Sequence, residues 1–217
     1  MAYRYVYLVN HSTHQFEKED VEFIWKPGFS KTQKQKSIMN LHEAFKQKHS
    51  DYNLLEVSSK STSDIGVQAS AFNLEIKSKK GRTFTVEQLF QTSKVYKKAG
   101  SQSHLLNENL STKEIKQQLR EIDNKDMLTQ FECFNKIFPL EPKTFFYNWL
   151  YINALNNNKT LASQILKYDA FTDIEFNPSK SFNCQAETCS IYVSLIKRNL
   201  LDKALISPER FLDIVYK

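Results

Sequence analysis

The order of the strand and helix patterns is the feature that most constrains how this chain can fold. Alternating polar and apolar residues predict short strands at Tyr3 to Asn10, at Glu22 to Trp25, and in "YNLLEVSS" and "VQASAFNLEIKS". Helical spacing dominates the second half, where "ETCSIYVSLIKRNLLDKAL" is typical of a buried helix. Strands and helices therefore do not alternate as in a doubly wound sheet, and the chain has no glycine-rich phosphate loop. The pattern predicts an α+β fold, a helix-rich single domain with a few short strands.

Capping residues mark several helix boundaries. Thr85 and Gln88 stand three residues apart in "TFTVEQLFQTSKVYKK", Thr83 to Lys98, and Ser111 and Glu114 repeat this capping-box spacing in "LSTKEIKQQLREID". The other predicted features are a helix from Thr32 to Lys48, a turn at "KKGRTF", a helical pair in "PKTFFYNWLYINALNNN" and "TLASQILKYD", and a last short helix that Pro208 begins.

Composition suits one globular domain, because the 217 residues are 41% hydrophobic and 25% charged. No apolar run approaches the roughly 20 residues that span a bilayer, and the N-terminus resembles a strand more than a signal peptide. We therefore expect a cytoplasmic protein. The three cysteines, Cys133, Cys184 and Cys189, form no CxxC pair and have no histidine at a metal-ligand spacing, which favours buried free thiols over a metal site or a disulfide scaffold. We expect no cofactor.

The net charge of +6 is concentrated in two blocks. Residues from Ile24 to Ser50 include six lysines against one glutamate, and those from Lys77 to Lys98 include six lysines and one arginine against one glutamate. Such blocks are typical of proteins that bind nucleotide phosphates or nucleic acids, although lysines also serve simply to solvate a surface.

A polar stripe is predicted along the helix that Thr85 caps. Glu87, Gln91 and Lys94 are spaced i, i+4 and i+7, so at about 100° per residue they share one side of a helix. Glu87 lies in the first turn, where the helix dipole favours a carboxylate and thus a general base. Lys94 could bind phosphate or act as a nucleophile. A solvated polar face is the alternative interpretation.

A second polar region, "YDAFTDIEFNPSKSFNCQAE", precedes the buried helix and is rich in carboxylate and amide side chains, among them Asp169, Asp173, Glu175, Asn177, Asn183 and Gln185. Loops of this kind bind polar ligands or supply turn and cap residues. None of the five histidines adjoins a serine or cysteine nucleophile in a recognisable motif, which argues against a hydrolytic triad.

The segment "STSDIGVQASAFNLEIKSKKGRTFTVEQLFQTSKVY" resembles the signature of the NADAR superfamily, named for a link to NAD and ADP-ribose. That signature has a glycine, an "SNF"-like segment, a strand, a turn and "W-x-(S/T)-x-E-x-x-FQ-x-x-KF". Its positions are matched, in order, by Gly66, Ser70, Ala71, Phe72, Asn73, Thr85, Glu87, Phe90, Gln91 and Lys94.

A second segment, "NWLYINALNNNKTLASQILKYDAFTDIEFNP", is similar to the family's second half, with Glu175 at the acidic position. The resemblance thus covers roughly residues 54–186. Two features depart from it: Phe84 replaces the usual aromatic residue before the glutamate, and "SKSFNCQAE" replaces the usual "D-x-x-W-G", with Lys180 and Asn183 near its Asp and Trp positions. The chain is most similar to the NADAR antitoxins that accompany DNA ADP-ribosyltransferase toxins of the DarT type.

The resemblance implies N-glycosidic hydrolysis that removes ADP-ribose from guanine bases in DNA. It makes Glu87 the acid/base group, and it makes Lys94 or Lys60 the residue that binds the pyrophosphate or attacks the ring-opened sugar. Implied partners are ADP-ribosylated single-stranded DNA, ADP-ribose and the cognate toxin, with no membrane. The ligand-binding residues that we predict are Gly66, Ser70, Phe72, Asn73, Gln91, Trp149, Glu175, Asn183 and Gln185.

We expect residues 1–50 to form a basic N-terminal extension packed on a NADAR-like catalytic domain of residues 51–217. Two other functions stay open. One is an N-glycosidase that acts on a riboflavin-pathway-like metabolite, and the other is a non-catalytic module that binds ADP-ribose, NAD or the toxin. The absence of the D-x-x-W-G element favours the non-catalytic module.

Overall fold

A computed structural model describes residues 1–78, 81–108 and 110–217. The chain forms two compact units: unit 1 comprises Met1–Ser70 and Leu155–Lys217, and unit 2 comprises Ala71–Ala154. Helices and short strands in mixed sheets confirm the α+β class. Within the described residues, no helix is both long and apolar enough to span a bilayer. The expected division at residue 50 stays a prediction.

Unit 1 is built on a four-stranded sheet of order β2-β1-β10-β3. Strands β1 (Ala2–Val9) and β2 (Phe16–Phe23) form a long antiparallel hairpin, and β1 also pairs antiparallel with β10 (Ala170–Thr172). Strand β3 (Leu54–Glu56) lies parallel to β10. The hairpin therefore belongs to the same sheet as the two strands that precede the polar loops of this unit.

Helices cover the unit 1 sheet. Helix α1 (Lys31–Lys46) packs Ile38, Leu41 and Phe45 against Val6 and Leu8 of β1, while the buried helix α7 (Gln185–Lys197) contacts β1 and β10. The remaining helices of this unit are α2 (Asp64–Ala69), α6 (Lys159–Ile165), α8 (Leu201–Ala204) and α9 (Pro208–Tyr216). Because side chains alternate between the two faces of a strand, the buried run Val6–Val9 is apolar on both faces.

Unit 2 contains a two-stranded hairpin and a four-stranded sheet. The hairpin pairs β4 (Glu75–Lys77) with β5 (Thr83–Thr85), and the sheet has the order β7-β6-β8-β9. The strands of this sheet are β6 (Lys94–Tyr96), β7 (Gly100–Ser101), β8 (Leu128–Cys133) and β9 (Lys136–Phe138). The helices of unit 2 are α3 (Val86–Thr92), a 3₁₀ helix (Ser103–Asn107), α4 (Thr112–Asp123) and α5 (Phe145–Asn157). The part of α5 that follows Ala154 belongs to unit 1.

Two predicted elements are wrong. The single helix expected across Thr83 to Lys98 is instead the strand–helix–strand series β5, α3 and β6. The strand expected in "VQASAFNLEIKS" forms only at β4, because Val67 to Ala69 belong to α2. The turn expected at "KKGRTF" is present in its described part, where Gly81 N donates to Ser78 O, while Lys79 and Lys80 lie outside the described residues.

The predicted caps are confirmed. Thr85 and Gln88 form a capping box at α3, and Ser111 and Glu114 form one at α4. Asn158 separates the helical pair α5 and α6 and caps the second helix, and Pro208 begins α9. The three cysteines are buried, as predicted.

Candidate functional site

Glu87 lies at the start of α3, in unit 2, where local sequence fixes its position. The Thr85 hydroxyl accepts a hydrogen bond from Gln88 N, and the Gln88 side chain accepts one from Thr85 N. Glu87 N donates to Ala71 O at 2.9 Å, which ties the first turn of α3 to the segment that carries Phe72 and Asn73. Three of the predicted residues are therefore brought together by backbone contacts.

The Glu87 side chain is 9% exposed, and its carboxylate has two polar partners. Its Oε1 accepts a hydrogen bond from Lys116 Nζ at 2.8 Å and another from Gln91 Nε2 at 3.1 Å. The predicted pairing of Glu87 with Gln91 on one helix face is thus confirmed. Because both hydrogen bonds fall on Oε1, Oε2 is the carboxylate oxygen without a donor among the described residues.

Lys116 is a residue that the sequence reasoning missed. It lies on α4, beside the buried Ile115, and its ammonium pairs with Glu87 from 29 positions away along the chain. The same ammonium lies 5.2 Å from the centroid of the Phe72 ring, in cation–π range. Its position next to a core residue of an amphipathic helix was the one available signal, and that signal is shared by many surface lysines.

Phe72 adds an aromatic surface beside this ion pair. Its side chain is 41% exposed, which is unusual for a phenylalanine, and Asn73 beside it is exposed as well. A carboxylate, an ammonium and an accessible ring close together can accept a proton, bind an anion and stack on a flat group. A nucleotide offers an anion and a flat base for such contacts.

Lys94 does not continue the predicted helical stripe, and that prediction is wrong. Helix α3 ends at Thr92, and Lys94 begins β6, where it pairs with Phe131 of β8. Its side chain is only 12% exposed, and its ammonium contacts both carboxylate oxygens of Asp123, at 3.0 and 2.9 Å. Asp123 also accepts a hydrogen bond from the Tyr96 hydroxyl, which raises the pKa of Tyr96 together with burial, the larger cause. The catalytic role of Lys94 stays a prediction.

Trp149 lies on α5, and its ring packs 5.0 Å from that of Phe138, centroid to centroid. Phe138 also contacts Phe145 and Phe146, so Trp149 borders an aromatic cluster in the interior of unit 2. Its indole Nε1 is buried and has no hydrogen-bond partner among the described residues. A buried indole donor usually has a partner, so this nitrogen is the feature that supports a ligand-binding role.

Lys60 and Glu175 meet in unit 1. The Lys60 ammonium is 3.8 Å from Glu175 Oε1 and donates to Ser59 Oγ at 3.0 Å, while Ser59 Oγ donates to Glu175 Oε2 at 2.9 Å. Both side chains are about one-third exposed, at 30% and 35%. Two residues predicted separately, 115 positions apart, thus share one polar cluster.

Asp173 organises the loop that carries Glu175. Its Oδ1 accepts hydrogen bonds from the backbone N–H groups of Glu175 and Phe176, and its Oδ2 accepts one from the Gln185 side chain at 3.0 Å. Burial, followed by the neighbouring Glu56 carboxyl, raises the pKa of Asp173 to about 7. Gln185 is therefore committed to an internal partner through its amide nitrogen.

Glu56 is a second missed residue, and it anchors the same loop from β3. Its carboxyl group is 2% exposed and accepts hydrogen bonds from Ser58 Oγ, Thr172 Oγ1 and Ile174 N. Burial raises its pKa, against the effect of these three hydrogen bonds. The available signal was an acidic residue within an otherwise apolar strand sequence, "LLEV", which is expensive unless the residue is hydrogen-bonded.

Gly66 and Ser70, both on or next to α2, are buried. A Cβ at Gly66 would lie 1.9 Å from Glu56 O and 2.5 Å from Ser61 Oγ, so the absence of a side chain lets α2 approach β3. This close packing explains why a glycine occupies position 66, without any need for a ligand. A ligand-binding role for Gly66 stays a prediction.

Asn183, just before α7, has a buried Oδ1 with no donor among the described residues.

Several of the predicted residues thus form one group in each unit. The unit 2 group contains Glu87, Gln91, Phe72 and Asn73, joined by Lys116, whereas Lys94 is bound to Asp123. The unit 1 group contains the pair of Lys60 and Glu175, together with Gln185 on Asp173. Among the described residues, no group of three or more His, Cys, Asp or Glu side chains is arranged to hold a metal ion.

Comparison with known proteins identifies a family for nearly the whole chain. A family model described as DarT1-associated NADAR antitoxin matches residues 2–217. No curated protein matches the chain. The matched range includes both units and every predicted site residue.

Proposed function

The chain belongs to the family of DarT1-associated NADAR antitoxins, and on that premise we propose that it is an ADP-ribosyl glycohydrolase that removes ADP-ribose from guanine bases in DNA. The reaction hydrolyses the N-glycosidic bond between the ribose and the guanine amine. Water supplies a hydroxyl to the sugar and a proton to the departing base. The protein would act in the cytoplasm on damage caused by its cognate toxin.

The observation that carries this proposal is the environment of Glu87. The carboxylate is almost fully buried, yet it is paired with an ammonium, aligned by Gln91 and adjacent to an accessible phenylalanine ring. The pairing with Lys116 and the alignment by Gln91 hold this carboxylate in place, which suits a group that takes a proton from a ribose hydroxyl or from water. Positioned acid/base groups contribute about 10²- to 10⁴-fold to such reactions.

Among the lysines predicted from sequence, Lys60 is the better candidate for covalent chemistry or phosphate binding. Lys94 is 12% exposed and makes two close contacts with one carboxylate. Lys60 is 30% exposed, and its ion pair with Glu175 is long, at 3.8 Å. A lysine that attacks a ring-opened sugar must give up its proton and leave its carboxylate partner, and a loose pair is easier to leave.

The test is to incubate the protein with a single-stranded oligonucleotide that carries ADP-ribosylated guanine and to follow the release of ADP-ribose. We expect Glu87→Gln, which keeps the size of the side chain and removes its charge, to lower the rate by at least about 100-fold. Glu121→Gln is the matched control, because Glu121 is an exposed glutamate of the same unit and should leave the rate unchanged. Release by wild type and by Glu87→Gln at equal rates would contradict the role of Glu87.

Borohydride reduction tests the lysine. A Schiff base between Lys60 and the sugar would be trapped as a stable adduct, detectable by mass spectrometry on the peptide that contains Lys60, and absent from Lys60→Met. If wild-type protein binds ADP-ribose but does not release it from the modified DNA, the protein is a binding module and the glycohydrolase proposal is wrong.

A further inference from the structure

We propose that an exposed aromatic ring and the lysines around it, in the segment that enters α1, form a docking surface for single-stranded DNA. We call this the Phe29 surface and define it as Lys26, Phe29, Lys31 and Lys34. This inference rests on the proposed function, since it concerns how the strand that carries the modified base is held. It assigns a role to a part of unit 1 that the glycohydrolase chemistry does not use.

Phe29 is the aromatic residue that stands out in this segment. Its side chain is 98% exposed, whereas the aromatic side chains at Phe23 and Phe45 of the same unit are buried. A fully exposed phenylalanine gains nothing from folding, because its apolar surface stays in water. A base that stacks on the ring would remove that surface from water.

The loop that carries Phe29 is anchored at both ends. Lys26 N donates to Ser37 Oγ at 3.0 Å, and Asn40 Nδ2 donates to Ile24 O at 2.6 Å, so residues 24–26 are bound to α1. At the other end, Ser30 Oγ accepts from Gln33 N and caps the same helix. The ring is therefore presented by a short connection with fixed ends, which lowers the entropy lost on binding.

Gly28 allows this connection to turn. Its φ of +130° lies in a region that residues with a side chain rarely adopt, and its Cβ position would be 3.0 Å from the Gln33 side chain. Pro27 before it restricts the backbone further. The sequence "KPGFS" thus forms a connection that bends at Phe29 and Ser30 and leaves Phe29 exposed.

The lysines of this surface are free of carboxylate partners within the described residues. No acidic residue occurs between Trp25 and Asn40 in the sequence. Lys34 Nζ lies 4.6 Å from the Trp25 ring centroid, and the Arg4 guanidinium lies 5.1 Å from it, so Trp25 holds two cations beside the segment. Unpaired cations close together repel one another, and an anionic partner relieves that repulsion.

Single-stranded DNA fits both features at once. It presents a phosphate and an accessible base face at every nucleotide, and proteins bind it by combining lysines with stacking aromatic rings. A duplex hides its base faces within the stack. An acidic protein surface would pair with the lysines but has no flat group for Phe29, so the observations favour the single strand.

The first test measures the affinity of the full chain for an unmodified single-stranded oligonucleotide by fluorescence anisotropy. We expect Phe29→Ala to weaken binding by about tenfold or more, since one stacked base contributes that much, and Phe29→Tyr to retain it. The control is Ile206→Ala, another exposed apolar residue of unit 1, at 73% exposure, which should bind like wild type. Equal affinity of Phe29→Ala and wild type would overturn the proposal.

The second test addresses the lysines through salt. Each phosphate contact contributes about −0.7 to the slope of log affinity against log salt for a single strand, so Lys31→Gln/Lys34→Gln should make the slope shallower by about 1.4. The charge-matched control, Lys167→Gln/Lys203→Gln, removes two exposed lysines elsewhere in unit 1 and should keep the wild-type slope. A slope that is unchanged in the first variant would overturn the role of these lysines.

The outcomes separate this inference from the proposed function. If wild-type protein releases no ADP-ribose but Phe29→Ala still loses affinity for the strand, the docking surface stands and the glycohydrolase proposal falls. If the enzyme is active but Phe29→Ala loses only binding to the purified toxin and keeps its affinity for DNA, the docking proposal is overturned. If the enzyme is active, the docking surface further predicts that Phe29→Ala slows hydrolysis of a modified oligonucleotide while hydrolysis of an ADP-ribosylated mononucleoside stays at the wild-type rate.

Discussion

Replacing Gly66 by alanine distinguishes a packing role for this residue from a ligand-binding role. Gly66 is buried in α2, and a Cβ there would lie 1.9 Å from the carbonyl oxygen of Glu56 and 2.5 Å from Ser61 Oγ. Cβ atoms essentially never approach other heavy atoms closer than 3.0 Å, so the nearest contact requires a movement of more than 1 Å. The obstructing atom belongs to the backbone of β3, which cannot move by changing a rotamer.

The cost follows from two opposing effects. Overpacking a well-packed site costs about 1–3 kcal/mol, and the upper part of that range applies because β3 is held by β10, with Glu56 opposite Thr172. Alanine in a helix is favoured over glycine by about 1 kcal/mol, which offsets part of the cost. We expect a net loss of about 2 kcal/mol in the free energy of unfolding, or about 4–8 °C in Tm for a chain of this size.

The assay combines urea or thermal unfolding with ADP-ribose affinity, measured by calorimetry at a temperature where the variant is fully folded. Gln68→Ala, an exposed change in the same helix, is the control and should shift stability by less than about 0.5 kcal/mol. A Gly66→Ala variant that unfolds at the wild-type temperature but loses ADP-ribose affinity would refute the packing argument. It would instead support the ligand-binding role predicted from sequence.

Two further predictions concern charged groups. Burial, as the main cause, raises the pKa values of Asp173 and Glu187 to about 7 in the folded protein. As pH rises, the unfolded chain therefore loses these protons at a lower pH than the folded protein does. The free energy of unfolding should fall as pH rises from about 4 to 7, by up to about 1.4 kcal/mol per pH unit for each group. Tm measured across this pH range should decline less steeply in Glu187→Gln than in wild type. An equal slope of Tm against pH in wild type and in Glu187→Gln would contradict the raised pKa of Glu187. Lys94→Met should lower the free energy of unfolding by about 1 kcal/mol, because Asp123 loses its ammonium partner, while ADP-ribose release stays within a few-fold of wild type. A folded but inactive Lys94→Met protein would instead support the catalytic role predicted from the family motif.

Local signals in the sequence predicted the helix starts well. Both capping boxes are formed by residues three positions apart, so a short window contains all of their physics. The helix end before Lys94 could not be found in the same way. Lys94 and Val95 pair with Phe131 and Gln130, more than 30 positions away, and this non-local pairing overrides a continuing helical pattern.

The predicted strand in "VQASAFNLEIKS" failed for a related reason. Val67 and Ala69 alternate with polar residues as a strand would, yet they belong to α2, which Gly66 allows to lie against β3. The determining contact is between Gly66 and the backbone of Glu56, ten residues earlier. Alternation over four residues is weak information compared with a close backbone approach of this kind.

The candidate site in unit 2 shows the same limit for function. The family motif identifies Glu87 and Gln91, but it offers Lys94 as the neighbouring cation, whereas the ammonium that contacts Glu87 comes from Lys116 on α4. Lys116 follows Ile115, which is buried in a cluster with Leu119, Tyr96 and Leu105. That apolar cluster fixes the position of α4, and the Lys116 ammonium is held at 2.8 Å from the carboxylate as a consequence. Core packing on a separate helix therefore determines which cation lies next to Glu87. The residues buried beneath α4 position this cation, although none of them is hydrogen-bonded to Glu87.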